Sequence, residues 1–119
     1  MANERILIID DDVELREEIS EVLADEGYLV KGTSDPVEGV NFIDGHIFDI
    51  AILDYKLPGM TGVELLCRIK KKSPETRVFI VSGRPFVEKL IKEENAYHLV
   101  SGVITKPFDC ETLLNKIRG

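Results

Sequence analysis

Apolar runs alternate with amphipathic stretches along this chain. Arg5 to Ile9, Tyr28 to Thr33, Phe48 to Leu53, Arg77 to Val81 and Gly102-Val103-Ile104 are short and rich in Ile, Val and Leu. Runs of that length bounded by turn residues predict strands. Between them, apolar residues recur at helical spacing. Leu15, Ile19, Val22 and Leu23 predict a first helix stopped by Gly27. Ser34-Asp35-Pro36 is a start signal for a second, with Val37, Val40, Phe42 and Ile43 on its pattern. Gly62 to Lys72 predicts a third, with Val63, Leu66 and Ile69 on one face and Ser73-Pro74-Glu75 as its stop. Pro85 to about Asn95 predicts a shorter, more ambiguous helix. Asp109 is placed to cap the last one, whose inner face is Leu113, Leu114 and Ile117.

Five such β-α repeats imply a parallel sheet covered on both faces, because a parallel pair needs a crossover and the crossover helices pack on the sheet. Right-handed crossovers make that sheet doubly wound. A chain of 119 residues suits one domain with one sheet at its centre. It has no linker, low-complexity tract or internal repeat.

The ends of the strands carry the chemistry. Ile6-Leu7-Ile8-Ile9 runs straight into Asp10-Asp11-Asp12, and Ile50-Ala51-Ile52-Leu53 ends in Asp54 before the turn Leu57-Pro58-Gly59. The fourth strand ends at Ser82-Gly83 and the fifth at Thr105-Lys106. Open α/β sheets bind ligands outside the carboxyl ends of their strands. Neighbouring strands would therefore gather carboxylates, a hydroxyl and an ammonium in one crevice. Crowded carboxylates repel and need a cation, a shared proton or a basic side chain. A hard divalent cation is the simplest of these.

The formal charge of −7, from 22 acidic and 15 basic residues, excludes general nucleic-acid binding by the domain as a whole. Cys67 reads as an apolar filler on the third helix and Cys110 as a thiol near a helix start. His46 and His98 are isolated, without metal-ligand spacing. Lys70-Lys71-Lys72 reads as the solvated end of the third helix, and Asp12 as a cap of the first rather than a metal ligand. Met1-Ala2-Asn3-Glu4-Arg5 has no signal-peptide pattern and no apolar run approaches membrane-spanning length, so the expectation is a cytoplasmic protein without membrane contact.

The whole chain, in order, resembles the receiver domain of two-component response regulators. Ile8-Ile9-Asp10-Asp11-Asp12, the segment from Asp54 through Leu57-Pro58-Gly59-Met60 to Gly62, Ser82, and Lys106-Pro107-Phe108 carry the resemblance. It implies a flavodoxin-like fold with strand order 2-1-3-4-5 and five helices. It implies Asp54 as phosphoacceptor and Mg²⁺ or Mn²⁺ as cofactor. The cation would be held by Asp11 and Asp54 directly, by Asp10 through water and by the backbone carbonyl of Lys56. Ser82 would be the switch hydroxyl and Lys106 the phosphoryl partner. Lys56, Arg84 and Gly83 are candidate modulators of acyl-phosphate lifetime. The implied partners are a histidine kinase or histidine phosphotransfer protein, an output domain or separate downstream protein, and a phosphorylation-dependent second copy. The implied activity is limited to the chain's own phosphorylation and dephosphorylation.

Val103 stands where receivers usually carry an aromatic residue, and Phe86 and Tyr97 are the aromatic candidates to replace it. The last helix is short, which fits a receiver cut from a longer regulator. Two other readings stay open on the residues. One is a binding scaffold that keeps the fold without phosphorylation. The other is a phosphatase resembling the haloacid dehalogenases, with Asp10 as nucleophile; it leaves Asp54 without a role.

Overall fold

The computed structural model describes residues 4–119. Met1, Ala2 and Asn3, on which the reading of the leader partly rests, lie outside the described residues. The elements run β1 Arg5–Ile9, α1 Val13–Asp25, β2 Leu29–Thr33, α2 Pro36–Gly45, β3 Ile50–Asp54, β4 Lys56–Leu57, β5 Met60–Thr61, α3 Gly62–Lys72, β6 Arg77–Ser82, α4 Val87–Glu93, a 3-10 turn Tyr97–Leu99, β7 Gly102–Thr105 and α5 Cys110–Arg118. The main sheet has order β2-β1-β3-β6-β7 and every pair in it is parallel. That is the predicted 2-1-3-4-5 order, because β4 and β5 form a separate antiparallel hairpin. The hairpin was not anticipated; only a turn was read there.

Strand side chains alternate between two cores. Ile6 and Ile8 join Ile19 and Leu23 of α1 and Leu113 and Ile117 of α5. Leu7 and Ile9 join Ile43 of α2, Leu65, Leu66 and Ile69 of α3, and Ile91 of α4. Ile6, Leu7, Ile8 and Ile9 are all fully buried, and each contributes about 1.5–3 kcal/mol relative to exposure. This two-sided burial explains why the strands read as continuous apolar runs.

The helices start where the strands deliver them. The Asp12 carboxylate accepts from the Leu15 N–H, Asp35 from Val37 and Asp109 from Thr112. Thr61 and Glu64 form a reciprocal capping box. Orphan N–H groups at these N-termini are thus satisfied by caps that stand within four residues of a strand end.

Some expectations fail in instructive ways. Val37 is 64% exposed rather than on the inner face of α2. The helix approaches the sheet through Gly39, where an added Cβ would sit 2.5 Å from Ile9 Cδ1. That close approach puts Pro36, Gly39 and Ile43 inside and turns Val37 out. Cys67 is exposed, not a filler: the buried face of α3 is Gly62, Val63, Leu65, Leu66 and Ile69, and Cys67 lies beyond its margin. Lys70 and Lys72 are not merely solvated. Lys70 Nζ donates to the Pro74 and Thr76 carbonyls, and Lys72 Nζ to those of Ile43 and Asp44 at the end of α2. The helix expected over 85–95 is shorter. Phe86 takes a left-handed backbone (φ 61°) before its first turn, and Asn95 (φ 57°) follows its end.

Candidate functional site

Four strands of the main sheet end in one crevice. Asp10 follows β1, its N–H donating to the Thr33 carbonyl of β2 at 3.1 Å. Its Oδ1 accepts the Asp12 N–H at 2.9 Å, which folds the acidic turn back on itself. Asp54 closes β3 and is only 8% exposed. One carboxylate oxygen from each of Asp10, Asp11 and Asp54 lies within 4.8 Å of the others. Asp12 is not in that cluster and caps α1. Lys106 comes in from the end of β7, anchored by its N–H on the Ser82 carbonyl at 2.9 Å. Its Nζ lies 3.1 Å from Asp10 Oδ2 and 3.4 Å from Asp54 Oδ2. Ser82, the buried last residue of β6, accepts the Arg84 N–H on its Oγ at 3.0 Å.

An open pocket of about 410 Å³ lies over this cluster, lined by Asp11, Asp54, Lys56, Leu57, Pro58, Ser82, Gly83 and Arg84. The structure therefore brings the predicted residues to one place. Lys56 and Arg84 reach its rim as exposed side chains. Gly83 faces Lys106, with room for a Cβ at 3.6 Å from the lysine Cβ. Thr105 is an exposed strand-end residue outside the cluster.

One ammonium faces three carboxylates, and the electrostatics follow. Burial pushes the Asp54 carboxyl up to about 7, the Asp10 charge adds to it, and Lys106 and its ammonium only partly oppose the rise, with Asp11 contributing further upward pressure. Burial alone would lower the Lys106 ammonium, but the Asp10 and Asp54 charges together outweigh it and hold the group above the ordinary lysine value. Replacing Lys106 with Met removes the one influence that lowers Asp54. In the metal-free protein the Asp54 carboxyl will then titrate above about 7, as carboxyl-carbon NMR against pH will measure. An unshifted titration would show that Lys106 does not sense Asp54.

Converging hard oxygens with an excess of negative charge fit a small divalent cation, and the donor set suits Mg²⁺ or Mn²⁺ rather than zinc or copper. The neutral alternatives are poor: sharing a proton among three carboxylates leaves at least one buried charge with only Lys106 to meet it.

Two contacts lay beyond the sequence reading. Arg16 Nη1 donates to the Asp10 carbonyl at 3.1 Å. The available signal was that Arg16 is the one basic residue in α1, among Glu14, Glu17, Glu18 and Glu21. Tyr55, directly after Asp54, donates its hydroxyl to Glu94 at the end of α4 at 2.9 Å; nothing local in the sequence marks a pair so far apart. Beside Val103 lies a groove of about 520 Å³ that Phe86, 80% exposed, also lines. Tyr97 is elsewhere, under the Lys92 ammonium at 4.6 Å.

A doubly wound sheet with an acidic, cation-ready crevice at its carboxyl edge defines a flavodoxin-like domain whose chemistry sits on β1, β3, β6 and β7. The profile of the response regulator receiver domain matches residues 6–118, and the chain belongs to that family. It is 30% identical over 96% of its length to the transcriptional regulatory protein DltR of Streptococcus agalactiae, of which it covers 50%. It is 29% identical to the sporulation initiation phosphotransferase F of Bacillus subtilis, over 99% of this chain and 94% of that protein. Among solved structures, the CheY-like receiver domain protein from Methanospirillum hungatei JF-1 superposes with a TM-score of 0.88 at 34% identity, covering 98% of this chain and 92% of that one. The chain thus spans about half the length of DltR and nearly all of the sporulation phosphotransferase. Among the described residues, no helix is long and apolar enough to cross a membrane.

Proposed function

We propose that Asp54 accepts a phosphoryl group from the phosphohistidine of a histidine kinase or histidine phosphotransfer protein, and that the acyl phosphate alters a surface read by an output domain or a separate partner. The observation that carries this reading is the clustering of Asp10, Asp11 and Asp54 with Lys106 beneath a pocket that Asp11, Asp54 and Ser82 line. Asp54 Oδ attacks phosphorus in line, a P–O bond forms and the P–N bond breaks. The departing imidazole nitrogen keeps the electron pair and takes a proton. Lys106 meets the phosphoryl charge as a point cation, drawing away from Asp10 as it does so. Ser82 turns its hydroxyl from the Arg84 N–H toward a phosphoryl oxygen and donates to it. Asp11, Asp54 and the Lys56 carbonyl would hold Mg²⁺ or Mn²⁺, with Asp10 acting through water, and the bound cation would supply the positive charge that lets one anion approach another.

The chain acts on no substrate beyond its own acyl phosphate in this reading. A movement of Ser82 carries the Gly83-Arg84 loop with it, and this biases the surface around α4 and β7. A second copy is one partner for that surface. Asp10 is a poor nucleophile for the phosphatase alternative: it is 3% exposed, tied to the Asp12 N–H and Lys106, and absent from the pocket lining.

Intact-protein mass after incubation with acetyl phosphate and Mg²⁺ tests the proposal. One phosphoryl adduct will appear on the wild type, and none on Asp54→Asn or in EDTA. An adduct that survives Asp54→Asn would move the phosphoacceptor elsewhere. Single Lys56→Ala and Arg84→Ala variants will change the decay of that adduct, because both side chains stand at the pocket rim where the attacking water must enter. Decay equal to the wild type in both would remove them as modulators.

A further inference from the structure

We propose that Arg16 is a positioning residue for the cation site: its guanidinium fixes the Asp10 carbonyl, and so the turn from which Asp10 and Asp11 present their carboxylates. The inference rests on the reading of this cluster as a divalent-cation site. Asp10 is held on every side. Its N–H donates to Thr33, its carbonyl accepts from Arg16 Nη1 at 3.1 Å, and its carboxylate receives the Asp12 N–H and Lys106. Arg16 is the one side chain of α1 that reaches this carbonyl, and no carboxylate among the described residues pairs with it. An arginine set among glutamates that bonds a backbone carbonyl instead of an acid is spending its fork on geometry rather than on an ion pair.

The sheet makes room for this contact. Gly32 of β2 pairs with Ile8 and so faces the α1 side. A Cβ there would lie 3.3 Å from Arg16 Cδ and 3.5 Å from Cγ. The arginine stem therefore lies across a gap that a side chain at Gly32 would close. Two elements, α1 and β2, hold one carbonyl at the end of β1. Outer-sphere hydrogen bonds made directly to metal ligands are typically worth about 10–100-fold in binding; Arg16 acts one step further out, through the backbone of the Asp10-Asp11 turn, so its effect falls at or below the low end.

The test is a double-mutant cycle on the full chain, read by calorimetric titration with Mg²⁺ alone. Arg16→Met keeps the apolar stem and deletes the donor; it should weaken Mg²⁺ binding severalfold, up to about tenfold. Gly32→Ala pushes the stem aside and should weaken binding severalfold with Arg16 present, yet add nothing in the Arg16→Met background. Phosphorylation by acetyl phosphate should recover in both variants when Mg²⁺ is raised to saturation. A drop in melting temperature with Mg²⁺ affinity unchanged in both variants would make Arg16 a structural residue only and overturn the proposal. Independent effects in the cycle would break the link between Gly32 and Arg16. Asp11→Asn is the control for the underlying reading. If Asp11→Asn binds Mg²⁺ as well as the wild type, the cation site itself is misplaced, whatever Arg16 does.

Discussion

Asp54→Asn will stabilise the metal-free protein at about pH 8 by a few kcal/mol, a gain that is much smaller at about pH 5 and gone only below about pH 4. The sign follows from the raised carboxyl. Asp54 titrates at about 7 in the folded chain against an ordinary value of 3.8. The folded state therefore holds a proton that the unfolded state has released. Its contribution is fully present below about pH 4 and is lost as pH rises through about 7. Asparagine carries no charge, so the variant loses that slope along with the buried repulsion from Asp10. Urea unfolding at the two pH values, with and without Mg²⁺, checks both halves. Saturating Mg²⁺ should stabilise the wild type at the higher pH, where the carboxylate is ionised, and should do much less for Asp54→Asn. Equal wild-type stability at both pH values without metal would mean that Asp54 is ionised at no cost and that the crevice is not short of positive charge.

Gly62→Ala should be the most damaging single methyl in the site. A Cβ there would sit 2.5 Å from the Asp54 carbonyl oxygen and 3.3 Å from Ile80 Cδ1. The first obstacle is backbone, so no rotamer change relieves it. The Gly62 N–H also donates to the Tyr55 carbonyl at 2.7 Å, which ties the start of α3 to the end of β3. Either α3 backs away or Asp54 moves, and overpacking of this kind costs about 3 kcal/mol. Both the urea midpoint and Mg²⁺ affinity will fall. Gly59→Ala is the comparison. Gly59 has φ +75° but nothing within 4 Å of an added Cβ, so its cost is conformational alone, about 1–2 kcal/mol, and the site is spared. A Gly62→Ala protein with wild-type stability and Mg²⁺ affinity would show that α3 docks loosely.

What the sequence made legible was whatever is written locally. Ile6 to Asp10 and Ile50 to Asp54 each show a buried run breaking at an acid, and both acids lie where that pattern places them. Asp35 and Asp109 were readable as caps because a cap and its target are two or three residues apart. Val37 and Cys67 were misplaced because helical spacing gives a stripe but not its centre, which Gly39 sets for α2 by touching Ile9. Lys72 and Tyr55 were beyond reach for a different reason. Their partners are the carbonyls of Ile43 and Asp44 and the carboxylate of Glu94, each a contact between elements that meet only in the folded chain.

The two-sided core has a bearing on how the chain finds its alignment. In a strand with one wet face, hydrophobic pattern alone rejects a slip of one residue. Ile50-Ala51-Ile52-Leu53 has no such protection, since every position is apolar and both faces are dry. What marks the reading frame is polar punctuation at the two ends. Asp49 accepts the Arg5 N–H at 2.8 Å before β3 begins, and Asp54 stops it in the crevice. Sliding β3 forward by one would draw an acid into the dry interior; sliding it back would pull Asp54 off its lysine. Two carboxylates, Asp49 outside the crevice and Asp54 within it, thus serve as the full stops by which the sheet is spelled.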